Sequence, residues 1–175
     1  MKLFGITGWS NSGKTFLMVE LVRVLVARGF TVSTVKHASR SLEFDQTGKD
    51  SYRHRHAGAD QVIVSSPLRW AVLTENRTRE EPSLQDLVGQ LRPVDLVLVE
   101  GYKRSPHRKL EVYRPSIGKP PLWPEVDSVI GVCSDEPVVA GELPVLALDD
   151  FEGIADFILR DVGLSAPGAT VQSLF

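Results

Sequence analysis

The chain has 175 residues, 42% of them hydrophobic, which suits one domain with a sizeable core. A net charge of −2 gives no global electrostatic case for nucleic acid or an anionic membrane, and the single Cys133 excludes an internal disulfide and a cysteine-cluster metal site. No apolar run approaches the roughly 20 residues of a membrane span, and Gly8 and Lys14 interrupt the N-terminal apolar stretch, so a soluble, cytoplasmic protein is expected.

Leu3 to Thr7 reads as a short buried strand. Gly8-Trp9-Ser10-Asn11-Ser12-Gly13-Lys14-Thr15 follows and fits the phosphate-loop pattern of Gly, four residues, then Gly-Lys-Thr. Phe16, Leu17, Val19, Leu21, Val22 and Leu25 then recur at helical spacing, with Gly29 as a stop. Strand, loop and helix in this order suit phosphate binding. Glycines let the backbone turn so that the N–H groups of Ser10, Asn11, Ser12 and Gly13 face an anion, and the helix start adds partial positive charge. Lys14 is placed for the β- and γ-phosphates, and the Thr15 hydroxyl for Mg2+. A plain Gly-rich turn needs neither residue.

Phe30 to His37 reads as a second strand, parallel to the first through a crossover. Residues 38–50 are polar and aperiodic, a long loop of the kind that often carries function. A short helix from Asp50 to Ala57 carries the basic run Arg53-His54-Arg55-His56. Gln61 to Ser66 and Trp70 to Thr74 read as an antiparallel pair, and a helix is expected from Pro82 to Leu91.

Asp95-Leu96-Val97-Leu98-Val99-Glu100-Gly101 has four apolar residues without alternation, the pattern of a strand buried on both faces. Ligands of open α/β sheets sit beyond the carboxyl ends of the strands, which selects Glu100 over Asp95, roughly 16 Å away at the strand rise. Glu100 is thus the candidate acid for Mg2+ or for an attacking water. Lys109 to Arg114 reads as a strand at an edge. Gly118 to Pro124 reads as a proline-rich loop, Val126 to Cys133 and Pro144 to Leu148 as strands, and residues 151–160 as an amphipathic helix. Residues 1–163 form the expected single nucleotide-binding domain, and 164–175 a tail expected to fray. The fold class is α/β: a three-layer P-loop NTPase-like fold, a mostly parallel sheet flanked by helices, with an antiparallel strand extension.

Several segments resemble one family. They are the loop itself, Lys36-His37, Phe44-Asp45, Gly48-Lys49-Asp50-Ser51-Tyr52-Arg53-His54-Arg55, Ala57-Gly58-Ala59, and Leu96 to Lys103. Together they are similar to molybdopterin-guanine dinucleotide biosynthesis protein B, the MobB family. The resemblance implies a homodimeric P-loop GTP-binding protein with at most weak GTPase activity. It would assist the partner enzyme that joins GMP to molybdopterin. Gly8, Gly13, Lys14 and Thr15 would take the phosphate-loop roles, and Asp45 and Glu100 would be the acids near Mg2+. Asp135, just after a strand end, is the candidate for guanine, since a carboxylate accepts from N1–H and the exocyclic amine. The chain departs from the Asn-Lys-x-Asp of common small GTPases, because Cys133-Ser134-Asp135 supplies only the Asp, and it departs from the family's His-rich segment, because Ala38-Ser39-Arg40 follows Lys36-His37.

Lys49 and Arg53, four apart, share a helix face suited to nucleotide or pterin phosphates, or to solvent. Lys103, Arg104, Arg108 and Lys109 form a second basic cluster, again either anion-binding or solvated. His54 and His56 do not face one another on a helix, so His37, His54 and His56 read as structural or surface residues before metal ligands. Trp9 reads as packing or rim contact. Two other functions fit the same residues: a small-molecule kinase, with the basic helix as lid and Glu100 or Asp45 as base, and a nucleotide-sensing module without chemistry.

Overall fold

The computed structural model describes residues 1–38, 45–78 and 80–165; the expected tail beyond 165 and residues 39–44 of the loop at 38–50 therefore lie outside the described residues. The chain divides into two compact units, residues 1–37 with 87–175, and residues 38–86.

The larger unit is built on six strands: β1 (Lys2–Thr7), β2 (Val32–Lys36), β5 (Leu96–Glu100), β6 (Lys109–Val112), β7 (Val129–Ser134) and β8 (Val145–Ala147). Their order is β2-β5-β1-β6-β7-β8, and every pairing is parallel. This is the expected α/β class, a parallel sheet flanked by helices. Helix α1 (Lys14–Ala27) places Leu17, Leu21 and Leu25 on one stripe, each fully buried. Helix α4 (Phe151–Val162) does the same with Ile154, Ile158 and Leu159, and its N-terminus is capped by Asp150, which accepts from the Gly153 N–H. Both stripes pack with Phe4, Ile6, Leu96, Leu98 and Leu110 in one core. Each such side chain contributes about 1.5–3 kcal/mol on burial.

The smaller unit holds α2 (Asp50–His56) and the antiparallel pair β3 (Gln61–Ser65) and β4 (Trp70–Thr74). Arg55 is its electrostatic centre: the guanidinium meets Asp45 Oδ1 and Glu75 Oε1, each at 2.5 Å. Helix α3 (Leu84–Gly89) is shorter than the expected span to Leu91, and 3-residue turns at Gln90 and Leu91 close its end.

The largest departure is β6, which was expected at an edge. It lies between β1 and β7, and all four of its residues are buried. Lys109 and Glu111 give β6 the alternation of a half-solvated strand, but both charges have partners inside. The Lys109 ammonium donates to Ser105 O at 2.5 Å and Ser128 Oγ at 2.9 Å. The Glu111 carboxylate accepts from the backbone N–H groups of Leu122 (2.8 Å) and Trp123 (3.0 Å). Burial nevertheless pushes Lys109 down to about 8 and Glu111 up to about 7.

His107 enters the same region. It fits over β1 because residue 5 is glycine: a Cβ there would lie 2.5 Å from His107 Nε2. Neither ring nitrogen has a hydrogen-bond partner among the described residues, and burial pushes its pKa down to about 4. This lies below the 6.5 of an unperturbed histidine, so the stability held by the neutral ring is full above pH 6.5 and drains as pH falls toward 4. Glu111 has the opposite sign: its contribution is full below pH 4.5 and is lost as pH rises to about 7. We expect His107→Leu to remove the first limb. Between pH 7 and pH 5 the variant should gain about 1–2 kcal/mol on the wild type in urea denaturation. Parallel pH curves for the two proteins would exclude this titration.

Candidate functional site

The site is assembled at the carboxyl edge of the parallel sheet. Five strand ends contribute: β1 leads into the loop, β2 ends at Lys36, β5 at Glu100, β6 just before Arg114, and β7 just before Asp135. Register fixes two of these side by side, since Lys36 is the parallel partner of Glu100.

The loop has the backbone its sequence demands. Gly8 has φ +142°, Asn11 +66° and Gly13 +96°. A Cβ on Gly8 would lie 2.4 Å from the Val112 carbonyl oxygen, so only glycine passes β6 here. Gly13 occupies the N-cap of α1 with no side-chain cap, which leaves the first-turn N–H groups free of a side-chain acceptor. Ser10 and Asn11 are exposed, whereas Ser12 is buried and its hydroxyl has no partner among the described residues. Trp9 anchors the loop tip. Its indole N–H donates to Pro120 O at 2.7 Å, and the Lys103 ammonium lies 3.6 Å from the ring centroid.

Three lysines converge on this loop. Lys14 donates from Nζ to the Trp9 carbonyl oxygen at 2.6 Å. Its pKa is lowered, first by burial and then by the charges of Lys103 and Lys36, against the opposing pull of Glu100. The Thr15 hydroxyl donates to Glu100 Oε1 at 2.9 Å. Lys36 Nζ stands 3.0 Å from that same Oε1 and donates to Thr15 Oγ1 at 3.2 Å. The two oxygens expected to hold Mg2+ are thus adjacent, and the pair already carries one cation, so its donor set fits a small hard cation.

A second feature lies along β6 and β7. Arg114 Nε is 3.2 Å from Asp135 Oδ2, and a Cβ on Gly13 would be 3.4 Å from Arg114 Nη2. The guanidinium thus pairs with Asp135 and lies close to Gly13 of the loop. Beside Arg114 and Asp135 lies a cavity of about 200 Å³, lined also by Phe16, Ser134, Leu148 and Asp149. Phe16 is held edge-on by Phe151, with ring centroids 5.7 Å apart.

The structure brings together Gly8, Ser10, Asn11, Ser12, Gly13, Lys14 and Thr15, with Glu100 beside Thr15 and Asp135 across the cavity. Asp95 lies at the opposite strand end and binds the Thr31 N–H and hydroxyl at 2.7 and 2.6 Å. Asp45 belongs to the smaller unit, where Arg55 engages both carboxylate oxygens and holds the carboxyl below its usual range. Lys49 and Arg53 also lie there, both exposed and without an ion pair among the described residues. The second basic cluster separates: Lys109 is buried, Arg108 pairs with Asp161, and Lys103 joins Trp9. His56 stacks on Tyr52 at 3.8 Å, and the His37 ring lies 4.9 Å from that of Tyr102. No group of three or more metal-ligating side chains occurs among the described residues. Sequence reasoning missed Lys36 and Arg114 as site residues. Their signal was position alone, since each stands at the carboxyl end of a strand neighbouring β5 or β1.

The family model described as molybdopterin guanine dinucleotide synthesis protein B matches residues 3–135. The chain belongs to the MobB family. It is 39% identical over 161 residues to the molybdopterin-guanine dinucleotide biosynthesis adapter protein of Escherichia coli, covering 90% of this chain and 91% of that protein. It is 41% identical over 159 residues to the protein of the same name from Haemophilus influenzae, covering 89% and 86%. A crystal structure of a MobB homolog from Bacillus stearothermophilus aligns with a TM-score of 0.69 at 26% identity, over 93% of this chain and 99% of the other. Bacillus subtilis MobB, at 22% identity over 93% of this chain and 98% of the other, shares the fold with a TM-score of 0.73. No helix among the described residues is long and apolar enough to cross a membrane.

Gly8 offers a direct test of the loop geometry. Gly8→Ala adds a Cβ against backbone at a φ that L-residues avoid, and should cost roughly 2–4 kcal/mol of stability in urea denaturation. A loss below roughly 0.5 kcal/mol would mean that β1 and β6 do not meet the loop this closely.

Proposed function

We propose that this protein is a GTP-binding adapter that assists attachment of GMP to molybdopterin in molybdenum cofactor biosynthesis, with at most weak Mg-dependent GTPase activity. The observation that supports the nucleotide reading is the position of Arg114, close to Gly13 of the loop and with Nε 3.2 Å from Asp135 Oδ2. On this reading the loop cradles the phosphates, and the cavity lined by Phe16, Arg114 and Asp135 takes the base. The loop N–H groups and Lys14 would hold the β- and γ-phosphates. Asp135 would accept from guanine N1–H and the exocyclic amine, with Arg114 orienting its carboxylate. Thr15 and Glu100 would hold Mg2+, which when bound supplies charge neutralisation of the phosphates.

The same geometry supports a weak hydrolysis. The Glu100 carboxylate accepts from the Thr15 hydroxyl and on this reading serves with it as a metal ligand, which leaves it poorly placed to activate water. The adapter role rests on the names borne by the Escherichia coli and Haemophilus influenzae relatives, which match nearly the whole chain. The partner is then the enzyme that transfers the guanylyl group, and the protein acts as a cytoplasmic homodimer. Lys49, the N-cap of α2, and Arg53 within the helix are exposed and available for an anionic substrate phosphate.

Two variants separate the ends of the ligand. Lys14→Ala should abolish Mg-GTP binding in calorimetry; an unchanged affinity would remove the phosphate loop from the function. Asp135→Asn should lose roughly ten- to hundredfold in GTP affinity, the cost of one charged hydrogen-bonding partner, and gain affinity for xanthosine triphosphate, whose C2 oxygen accepts from an amide. If ATP competes with GTP as strongly as GTP itself against the wild type, the guanine assignment is wrong.

A further inference from the structure

Lys36 stands where a metal ion would stand. Its ammonium contacts Glu100 Oε1 at 3.0 Å and Thr15 Oγ1 at 3.2 Å, and these two oxygens are 2.9 Å from each other. A cation shared by a carboxylate and a hydroxyl at the start of α1 reproduces, with nitrogen, the contacts a divalent ion makes with the same donors at shorter range. The Lys36 side chain is 56% exposed while Glu100 is 10% exposed, so the lysine can leave and the carboxylate cannot. It projects from the last residue of β2, an edge strand with no sheet neighbour on its far side among the described residues. Glu100 is its one carboxylate partner among the described residues, and Lys14 close by repels it.

We propose that Lys36 is the resident cation of the Thr15–Glu100 pair, exchanged for Mg2+ when a nucleoside triphosphate binds, and that the released ammonium then serves the phosphates. The proposal rests on the nucleotide reading above. Lys36 and a divalent ion cannot share Oε1, because a charge of +1 and a charge of +2 about 3 Å apart repel strongly in a partly desolvated site. Without nucleotide, Lys36 keeps Glu100 compensated and excludes free metal. With nucleotide but no metal, Lys36 supplies the positive charge that the phosphates lack. Lys36 thereby makes metal entry conditional on the nucleotide, whose phosphate oxygens provide both further metal ligands and a new partner for the displaced ammonium.

The test uses the full chain and two variants, Lys36→Met, which keeps length and removes charge, and Lys36→Arg, which keeps charge. Mn2+ is the metal probe, read by the electron paramagnetic resonance signal of the free ion in nucleotide-free protein. We expect Lys36→Met to bind Mn2+ about tenfold tighter or more, the scale of one close charge pair near a surface, with Lys36→Arg near wild type. In calorimetry with a slowly hydrolysed GTP analogue, the ratio of affinity in Mg2+ to affinity in EDTA should rise about tenfold in Lys36→Met and stay near wild type in Lys36→Arg. Unchanged Mn2+ affinity in Lys36→Met, with its melting temperature at the wild-type value, overturns the exchange. An unchanged ratio overturns the second role. A wild type that binds no nucleotide in Mg2+ would instead overturn the nucleotide reading, while the Mn2+ measurement would still decide whether Lys36 guards the pair.

Discussion

The hydrogen bond from Thr15 Oγ1 to Glu100 Oε1 is the contact on which the rest of the site depends. It ties the first turn of α1 to the end of β5 and so fixes where the loop between Gly8 and Gly13 must lie. The sheet supplies the precision. β1 is held between β5 and β6 by parallel pairing, with Ile6 opposite both Glu100 and Leu110. A one-residue slip would turn Glu100 to the other face and leave Thr15 and Lys36 without it. The four β5 residues before Glu100 are fully buried apolar side chains, which makes that slip expensive.

Much of this was legible in the sequence because it depends on local chemistry. The apolar run from Leu96 to Val99 announced an interior strand, and Gly8 to Thr15 announced the turn and the helix start. Asp95 and Glu100 were separable because strand direction puts them at opposite ends, and Asp95 indeed binds Thr31. What escaped was set by partners distant in sequence. β6 has a charge at every second position, and alternation of that kind normally marks a solvated face. Its lysine and glutamate are instead satisfied by the turn at 102–105 with Ser128 and by the N–H groups of 122–123, none of which periodicity can reveal. Asp45 escaped in the opposite sense. The family resemblance implied a place near Mg2+ for it, and an arginine ten residues on, which no motif marked as its partner, engages both of its carboxylate oxygens. Arg114 carries no motif, the Lys36-His37 pair marked the family without giving Lys36 a role, and the strand order brings both residues to the loop.

The buried ionisable groups around β6 show why the region behind the loop is costly to build. Lys109, Glu111 and His107 are all displaced from their ordinary pKa values by burial, and His107 is left without partners among the described residues. Replacing such groups with apolar ones often leaves a protein as stable or more so. Their positions suggest a use for the expense. Glu111 pins the 122–123 segment, the proline-rich stretch before it accepts the Trp9 indole N–H, and Trp9 carries Lys103 on its ring. Rigid support of this kind holds the loop tip without a side chain having to enter the space for the phosphates.

The loop itself is electrostatically incomplete in the ligand-free protein. Burial and the charges of Lys103 and Lys36 lower the pKa of Lys14, with Glu100 opposing them. Lys14 settles for a carbonyl oxygen, a neutral acceptor for a charged donor. Excess positive charge in a partly desolvated cleft lowers stability in isolation and raises affinity for a polyanion by the same amount, since binding relieves the repulsion. On the proposed function, a triphosphate would complete a charge set the fold leaves open. The bond between Thr15 and Glu100, with Lys36 across it, is the part of that set already closed. This is the physical reason to expect that phosphates bind first to the lysines and that metal follows them, rather than preceding them, into the site.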